Sequence, residues 1–177
     1  MAEFGLRSDL KPVVLVVGGG TGGTGLNSAV VAALPRLLEV CEVVHVTGKG
    51  KMVDVRREGY YPVEFLTDTL ADCLVAASVV VTRAGIGSLT EMAANGRAMV
   101  IVPLPQSQQE ENARYFAEKG AGVVVEEKDL DGLVEKVVGL VRNEGVRNKM
   151  GEAGKRLVPA NAAERVAQLL HETGKKR

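Results

Sequence analysis

The sequence Val13-Val-Leu-Val-Val-Gly-Gly-Gly-Thr-Gly-Gly-Thr-Gly25 joins a short apolar run directly to a cluster of glycines. The run Val13–Val17 has the continuous hydrophobic character of a strand that is buried on both faces. Apolar residues then recur at helical spacing from Leu26 to Leu38. The stretch predicts a strand, a glycine loop and a helix, whose N-terminus and neighbouring backbone amides can hold a phosphate. The alternative is a tight turn without a ligand.

The alternation of strand and helix continues along the chain. Further strands are predicted at Glu42–Val46, Val63–Phe65, Ser78–Thr82, Ala98–Val102 and Gly122–Val125. Further helices are predicted at Thr69–Ala76, Ser88–Asn95, Gln109–Lys119, Asp129–Arg142, Val146–Arg156 and Ala160–Thr173. This pattern predicts an α/β fold, a Rossmann-like doubly wound six-stranded parallel sheet with flanking helices. We expect one domain over residues 12–177, preceded by a leader or artificial segment at residues 1–11.

Composition limits the classes of function. The chain has 177 residues, 46% of them hydrophobic and 25% charged, with 22 basic and 22 acidic side chains. A neutral chain without a basic block offers little to nucleic acid or to an anionic membrane surface. No apolar run approaches the ~20 residues that span a bilayer, and no signal peptide is recognisable. Cys41 and Cys73 lack metal-ligand or disulfide spacing, so we expect no zinc site and a reducing, cytoplasmic setting.

A dinucleotide site is one interpretation of the glycine loop. It predicts an acidic residue near the end of the second strand, where the adenosine ribose binds. The chain instead reads Val46-Thr-Gly-Lys49, which has no carboxylate, although Lys49 or Lys51 could serve an NADP phosphate. Tyr115 and Lys119 match the Tyr-x-x-x-Lys pair of short-chain dehydrogenases, but one turn of an ordinary helix explains that spacing. An NADP-dependent oxidoreductase or dinucleotide-binding module stays open as an alternative.

A second group of polar residues follows the fourth and fifth predicted strands. Arg83-Ala-Gly-Ile-Gly-Ser-Leu-Thr-Glu91 comes at the carboxyl edge, where ligands bind in open α/β sheets. Ser88 and Glu91 have the spacing of a capping box, but a carboxylate there can equally accept hydrogen bonds from a ribose diol. Gln108 and Gln109 begin the next helix and offer neutral donors and acceptors that suit sugar hydroxyls. Together these features indicate a nucleotide-sugar site.

Five motifs in this order resemble the C-terminal, donor-binding domain of the MurG family of UDP-N-acetylglucosamine transferases. They are Gly18-Gly-Gly-Thr-Gly-Gly with Leu26-Asn27, His45-Val-Thr-Gly-Lys49, Phe65-Leu-Thr-Asp-Thr-Leu70, Arg83-Ala-Gly-Ile with Glu91, and Gln108-Gln-Glu-Glu-Asn-Ala113. The resemblance covers nearly everything after Lys11. It implies half of a GT-B fold of the family 28 type, from an inverting hexosyltransferase that uses UDP-GlcNAc as donor without a metal or other cofactor.

The family's donor-binding positions map onto one set of residues here: Gly19, Gly20, Thr21, Gly22, Leu66, Arg83, Gly85, Glu91, Gln108 and Gln109. The resemblance implies that residues 19–22 hold the diphosphate and that the Leu66 backbone contacts uracil. It assigns the ribose diol to Glu91 and the sugar hydroxyls to the two glutamines, and it assigns no catalytic residue to this chain. Gly20 and Ala84 replace serines that are usual in the family, and the loop at 103–108 is shorter than in many relatives.

The resemblance also implies partners. The family's acceptor site, candidate catalytic base and membrane-facing patch belong to an N-terminal domain. We therefore expect a UDP-sugar, an acceptor-binding domain or membrane-associated subunit, and a lipid-linked acceptor of the peptidoglycan lipid I type. The partner would bring this cytoplasmic chain to the inner face of the membrane; no transmembrane segment and no nucleic acid are expected. A non-catalytic UDP-sugar-binding subunit is a further alternative.

The last predicted helix carries an apolar stripe that must be buried somewhere, formed by Ala162, Val166, Leu169 and Leu170. It can pack on the chain's own sheet or on a partner, and we expect the chain's own sheet.

Overall fold

The computed structural model describes residues 11–19, 23–67, 69–158 and 161–174, and their strands form a six-stranded parallel sheet. The strands, β1 to β6 in chain order, are Val13–Val17, Glu42–Val46, Tyr60–Val63, Ala77–Thr82, Ala98–Ile101 and Val123–Val124. Their order across the sheet is β3-β2-β1-β4-β5-β6, and each neighbouring pair is parallel. The predicted α/β doubly wound sheet is confirmed.

Helices cover both faces of this sheet. The helices, α1 to α7 in the described part of the chain, are Thr24–Val40, Leu70–Ala76, Ile86–Ala94, Gln109–Glu118, Leu133–Arg142, Glu144–Leu157 and Ala162–Gly174. The core layer on one face contains residues of α1 and α5, and the layer on the other contains residues of α2, α3 and α4. Within β1, Val14 and Val16 belong to the first layer, whereas Val13 and Leu15 belong to the second. Because both faces are buried, central strands such as β1 have unbroken apolar sequences.

The third strand differs from its prediction. It was expected at Val63–Phe65 but runs over Tyr60–Val63, paired with β2. This strand contains Pro62, which cannot donate a hydrogen bond within a sheet. Because β3 lies at the edge of the sheet, its proline is tolerated. The predicted residues Glu64 and Phe65 follow the strand and approach the carboxyl edge instead.

Among the described helices, α4 begins at its predicted residue, and α1, α2, α3, α6 and α7 begin one or two residues away from theirs. The helix expected at Ser88–Asn95 begins at Ile86, and its N-cap is Gly85. Ser88 therefore lies inside α3, so the expected capping box between Ser88 and Glu91 is wrong. The single helix expected at 129–142 is a 3₁₀ helix over Glu127–Gly132, followed by α5.

The C-terminal helix α7 leaves its apolar stripe exposed. The exposed fractions of Val166, Leu169 and Leu170 are 56%, 62% and 70%. The expectation that this stripe packs on the chain's own sheet is therefore wrong. The preceding helix α6 ends at Leu157, one residue beyond its predicted end at Arg156; Pro159, which cannot continue a helix, lies outside the described residues. Within the described ranges, no helix is both long enough and apolar enough to cross a membrane.

Candidate functional site

Two helices begin side by side at the carboxyl edge of the sheet. One helix follows β1 and the other follows β4. These two strands are neighbours in the sheet but not in the chain, so the strand order reverses between β1 and β4, which makes this position the switch point of the sheet. Helix α1 begins after Gly23 and α3 begins after Gly85, and neither N-cap makes a side-chain hydrogen bond. The first amides of each helix lack an acceptor within the helix and lie at the positive end of its dipole. This arrangement suits an anionic, hydroxyl-rich ligand.

The glycine loop joins β1 to α1. Gly19 has a φ angle of 84°, in the left-handed region that favours glycine. A Cβ atom at Gly23 would collide with the guanidinium of Arg83, and one at Gly25 would collide with the carboxylate of Glu127. Close packing, in addition to ligand access, therefore explains glycine at these last two positions. The predicted diphosphate residues at 20–22 lie outside the described residues.

Arg83 and Glu127 form an ion pair against the end of the glycine loop. Nη1 of Arg83 donates to one carboxylate oxygen, and Nη2 donates to the other at 3.3 Å. Arg83 is only 5% exposed, and its buried Nε has no hydrogen-bond partner in the described structure. The pair places a fixed guanidinium beside α1's N-terminus. Sequence reasoning found Arg83 but missed Glu127, although an acidic residue just after β6 falls at the same sheet edge.

The turn between β4 and α3 is held by side chains of α4. Oε1 of Gln109 accepts a hydrogen bond from the amide of Ala84 at 3.1 Å, and Nδ2 of Asn112 donates to the Ala84 carbonyl at 3.0 Å. Gln109 is thereby brought directly against the Arg83–Gly85 turn. Gln108 is exposed and precedes α4 as its N-cap. Sequence reasoning did not identify Asn112 as a contact of this turn.

The remaining predicted site residues lie around the same edge. Glu91 is exposed in the second turn of α3. Leu66 follows β3 with its side chain 7% exposed, in the same core layer as α3 residues. The preceding Phe65 is 60% exposed, so this loop presents an aromatic side chain beside the Leu66 backbone. Asp68, which belongs to the same motif, lies outside the described residues.

A buried polar network fixes the first turn of α1. Nδ2 of Asn27 donates to the Thr47 carbonyl at 2.9 Å, so Oδ1 of Asn27 must accept from Nε2 of His45, 3.1 Å away. His45 is then protonated on Nε2, and its Nδ1 accepts from the Tyr60 hydroxyl at 2.9 Å. Burial lowers the pKa of His45 to about 4 and raises the pKa of Tyr60 to about 12. The motif residues Asn27 and His45 therefore join α1 to β2 and β3 from inside the core.

The described residues contain no group of three or more His, Cys, Asp or Glu side chains that could hold a metal ion. An Asp-x-Asp sequence does occur, at Asp129-Leu-Asp131 in the 3₁₀ helix, and both of its carboxylates are exposed. Both cysteines are buried, and burial raises the pKa of Cys41 to about 12, which disfavours a reactive thiolate.

A parallel sheet whose strand order reverses between two open helix N-termini is the arrangement typical of nucleotide-binding α/β domains. The sequence model of the glycosyltransferase family 28 C-terminal domain matches residues 13–170, and the chain belongs to this family. The resemblance noted from the motifs is thereby confirmed.

The relatives are transferases about twice as long as this chain. A UDP-N-acetylglucosamine–N-acetylmuramyl-(pentapeptide) pyrophosphoryl-undecaprenol N-acetylglucosamine transferase from Legionella pneumophila is 35% identical over 171 residues, covering 92% of this chain and 46% of the relative. A transferase of the same name from a Nocardioides species is 38% identical over 184 residues, covering 98% of this chain and 50% of the relative. The chain thus spans about half the length of the curated relatives it matches.

Solved structures give the same result for the fold. The crystal structure of Acinetobacter baumannii MurG superposes with a TM-score of 0.79 at 26% identity, covering 92% of this chain and 50% of that one. The glycosyltransferase of kitacinnamycin has a TM-score of 0.73 at 22% identity, which supports the fold alone. The described sheet is therefore one half of a GT-B arrangement.

Proposed function

We propose that this chain is the donor-binding half of a transferase that moves N-acetylglucosamine from UDP-GlcNAc to a lipid-linked acceptor of the peptidoglycan lipid I type. The observation that carries the proposal is the pair of uncapped helix N-termini at the β1/β4 switch point. The printed names of the relatives supply the donor sugar and the acceptor. One domain over residues 12–177 would form this half.

The diphosphate would bind between the glycine loop and the start of α1. Gly19, Gly20, Thr21 and Gly22 would donate backbone amides, and the Arg83 guanidinium, paired with Glu127, would lie beside them. When the bond between the sugar and the diphosphate breaks, negative charge develops on the leaving UDP. Preorganised amides and a helix dipole stabilise such charge without a bound metal. The proposal therefore requires no metal for donor binding.

The other donor groups would extend from this point along the sheet edge. The Leu66 backbone would contact the uracil, and the Glu91 carboxylate would accept hydrogen bonds from the ribose diol. The turn at Gly85 would place the N-terminus of α3 next to the sugar. Gln108 and the free amide nitrogen of Gln109 would contact the sugar hydroxyls. Each of these polar groups lies on a loop or helix that directly follows a strand, as binding residues of open α/β sheets do.

The acceptor and the catalytic base would come from a second domain or subunit. In the proposal, that partner also brings this chain to the cytoplasmic face of the membrane, where the lipid-linked acceptor lies. The chain covers about half the length of its relatives, which supports the assignment of the acceptor site and the base to a separate part.

Calorimetric titration of the purified chain with UDP-GlcNAc and, separately, with NADPH tests the proposal. Binding of UDP-GlcNAc and UDP, with no measurable heat from NADPH, is the expected result. Preferential binding of NADPH would overturn the proposal and favour the dinucleotide alternative. Lys49, exposed after β2, stands where an NAD site requires a ribose-binding carboxylate, so the dinucleotide alternative is restricted to NADP.

A further inference from the structure

The peptide group of Ala84 is held from both sides by side chains one turn apart on α4. Its amide donates to Oε1 of Gln109 at 3.1 Å, and its carbonyl accepts from Nδ2 of Asn112 at 3.0 Å. Ala84 itself is fully buried, at 0% exposure. A buried peptide outside a sheet or helix needs such partners, because unpaired polar groups in the interior are costly. The two side chains together define the orientation of this peptide.

The orientation of this peptide controls where α3 begins. Ala84 is followed by Gly85, the N-cap of α3, which has no side-chain cap. The first backbone amides of α3 follow this turn directly. The direction in which they point therefore depends on a turn that side chains of α4 hold in place. A small rotation of the Ala84 peptide would turn those amides away from the switch point.

Gln109 makes a second contact with the same oxygen. Its Oε1 also accepts from the amide of Leu104, at 3.2 Å. A carbonyl oxygen has two lone pairs, so both are used by the protein, and only Nε2 remains to face a ligand. Gln109 thus ties the β4–α3 turn to the β5–α4 loop, two loops that meet only in the folded chain.

We propose that Gln109 and Asn112 are positioning residues, which clamp the Ala84 peptide so that the N-terminus of α3 is aimed at the nucleotide sugar. The inference rests on the proposed function for the identity of the ligand. It assigns to Gln109 a role through its oxygen, in addition to any contact that its nitrogen makes with a sugar hydroxyl.

Substitutions at Gln109 separate the two roles. Gln109→Glu keeps an oxygen that accepts from Ala84 and Leu104 but removes the Nε2 donor, whereas Gln109→Met removes the acceptor at similar length. Asn112→Asp places an oxygen against the Ala84 carbonyl and removes its donor. Gln108→Met is the matched control for amide exchange, because Gln108 is exposed beside the same helix start.

Residue-resolved amide hydrogen exchange and calorimetry with UDP-GlcNAc are the two measurements. Gln109→Met should speed exchange of the Ala84 and Leu104 amides about tenfold and weaken UDP-GlcNAc binding about tenfold. Asn112→Asp should weaken binding to a similar extent. Gln109→Glu should retain the slow exchange and lose less affinity than Gln109→Met, and Gln108→Met should leave the exchange of both amides unchanged.

Two results would overturn the proposal. Unchanged exchange of Ala84 in Gln109→Met would show that no clamp exists. The second such result is an equal loss of UDP-GlcNAc affinity in Gln109→Glu and Gln109→Met while the Ala84 and Leu104 amides still exchange slowly in Gln109→Glu. That result would show that only Nε2 of Gln109 contributes to donor binding. Failure of the unsubstituted chain to bind UDP-GlcNAc would contradict the proposed function instead, and the exchange comparison would still test the clamp.

Discussion

The carboxylate of Glu91 has no structural task that competes with ligand binding. Helix α3 begins at Ile86, so Glu91 lies in the second turn and cannot close a capping box with Ser88. Glu91→Ala should therefore leave the fold intact. Hydrogen bonds to a charged acceptor contribute about 1.5–3 kcal/mol each, so the affinity for UDP should fall about tenfold or more.

Calorimetry with UDP checks this prediction, with Glu111→Ala as the control. Glu111 is likewise an exposed helical carboxylate, but it has no assigned contact. Normal UDP binding by Glu91→Ala would remove Glu91 from the proposed site.

His45 should make the stability of the fold depend on pH. Its pKa is lowered by burial from 6.5 to about 4, so between these values the unfolded chain binds a proton that the folded chain does not. This contribution is complete above pH 6.5 and is lost as the pH falls toward 4. The shift corresponds to a loss on the order of 3 kcal/mol.

Urea denaturation at several pH values between 7.5 and 4, in ~0.5-unit steps, measures this contribution. Carboxylates also titrate near the lower end of that range, so the informative quantity is the difference between the native chain and His45→Gln. The variant should be less stable at neutral pH but should lose less stability on acidification. Parallel pH profiles for the two proteins would contradict the prediction.

At the scale of the elements, glycines of α6 pack closely against the end of α3 and the turn that follows it. A Cβ atom at Gly151 would collide with the backbone carbonyl of Gly96, which cannot rotate aside as a side chain can. Gly151→Ala should therefore destabilise the fold by about 1–3 kcal/mol, the usual cost of overpacking. Gly139 in α5 is the matched control, since a Cβ there meets nothing within 4 Å. Gly139→Ala should stabilise the chain by about 0.5–1 kcal/mol.

Thermal and urea denaturation of both variants give the comparison. Equal stability changes for the two substitutions would contradict the close packing of α6 against the end of α3 and the turn that follows it.

The elements show which parts of the structure the sequence can predict. Strands β1 and β2 are predicted with their observed bounds, because β1 is an unbroken apolar run, as expected of a strand buried on both faces, and β2 is rich in valine. The edge strand β3 is misplaced, because its tyrosines and Pro62 break that signal. The start of α3 is misplaced because its N-cap is a glycine, whereas Ser88 has the residue type typical of a cap.

The candidate site was predictable in its location but not in its internal contacts. Motifs after β1 and β4 placed it at the switch point, since the carboxyl ends of parallel strands share an edge. The contact of Ala84 with Gln109 spans 25 residues, and that of Arg83 with Glu127 spans 44. Contacts at such separations depend on how helices dock on the sheet, which periodicity does not specify. The ligand contacts of all the predicted donor-binding residues stay predictions: residues 19–22, Leu66, Arg83, Gly85, Glu91, Gln108 and Gln109.

At the scale of the whole molecule, the exposed apolar stripe of α7 indicates that the rest of the described domain does not shield this helix from solvent. Its side chains at Val166, Leu169 and Leu170 are all more than half exposed, at 56%, 62% and 70%. Hydrogen exchange followed by mass spectrometry should therefore show rapid exchange across residues 162–170 in the free chain, with α6 protected as an internal reference. Slow exchange across the stripe would mean that α7 packs on a surface of this chain or of a second copy.

The isolated chain is expected to bind the donor without transferring its sugar. His45 cannot serve as a base, because it is buried and both of its ring nitrogens are engaged by Asn27 and Tyr60. His171, the second histidine of the chain, is exposed on α7 and lies in none of the motifs that follow the strands. In the proposal, the base and the acceptor site come from the part of the relatives that this chain does not cover.

A transfer assay with a lipid I analogue and labelled UDP-GlcNAc tests this division directly. The chain alone should yield no labelled product, although calorimetry detects donor binding in the same preparation. Addition of the separately purified first half of the Nocardioides relative should restore transfer if the two halves can associate, and full-length Acinetobacter baumannii MurG serves as the positive control. Glu91→Ala in the restored mixture should lower the rate at subsaturating donor, because the donor still has to bind this half. Labelled product from the chain alone would show that it contains a complete catalytic site and would overturn the assignment of the base to a partner.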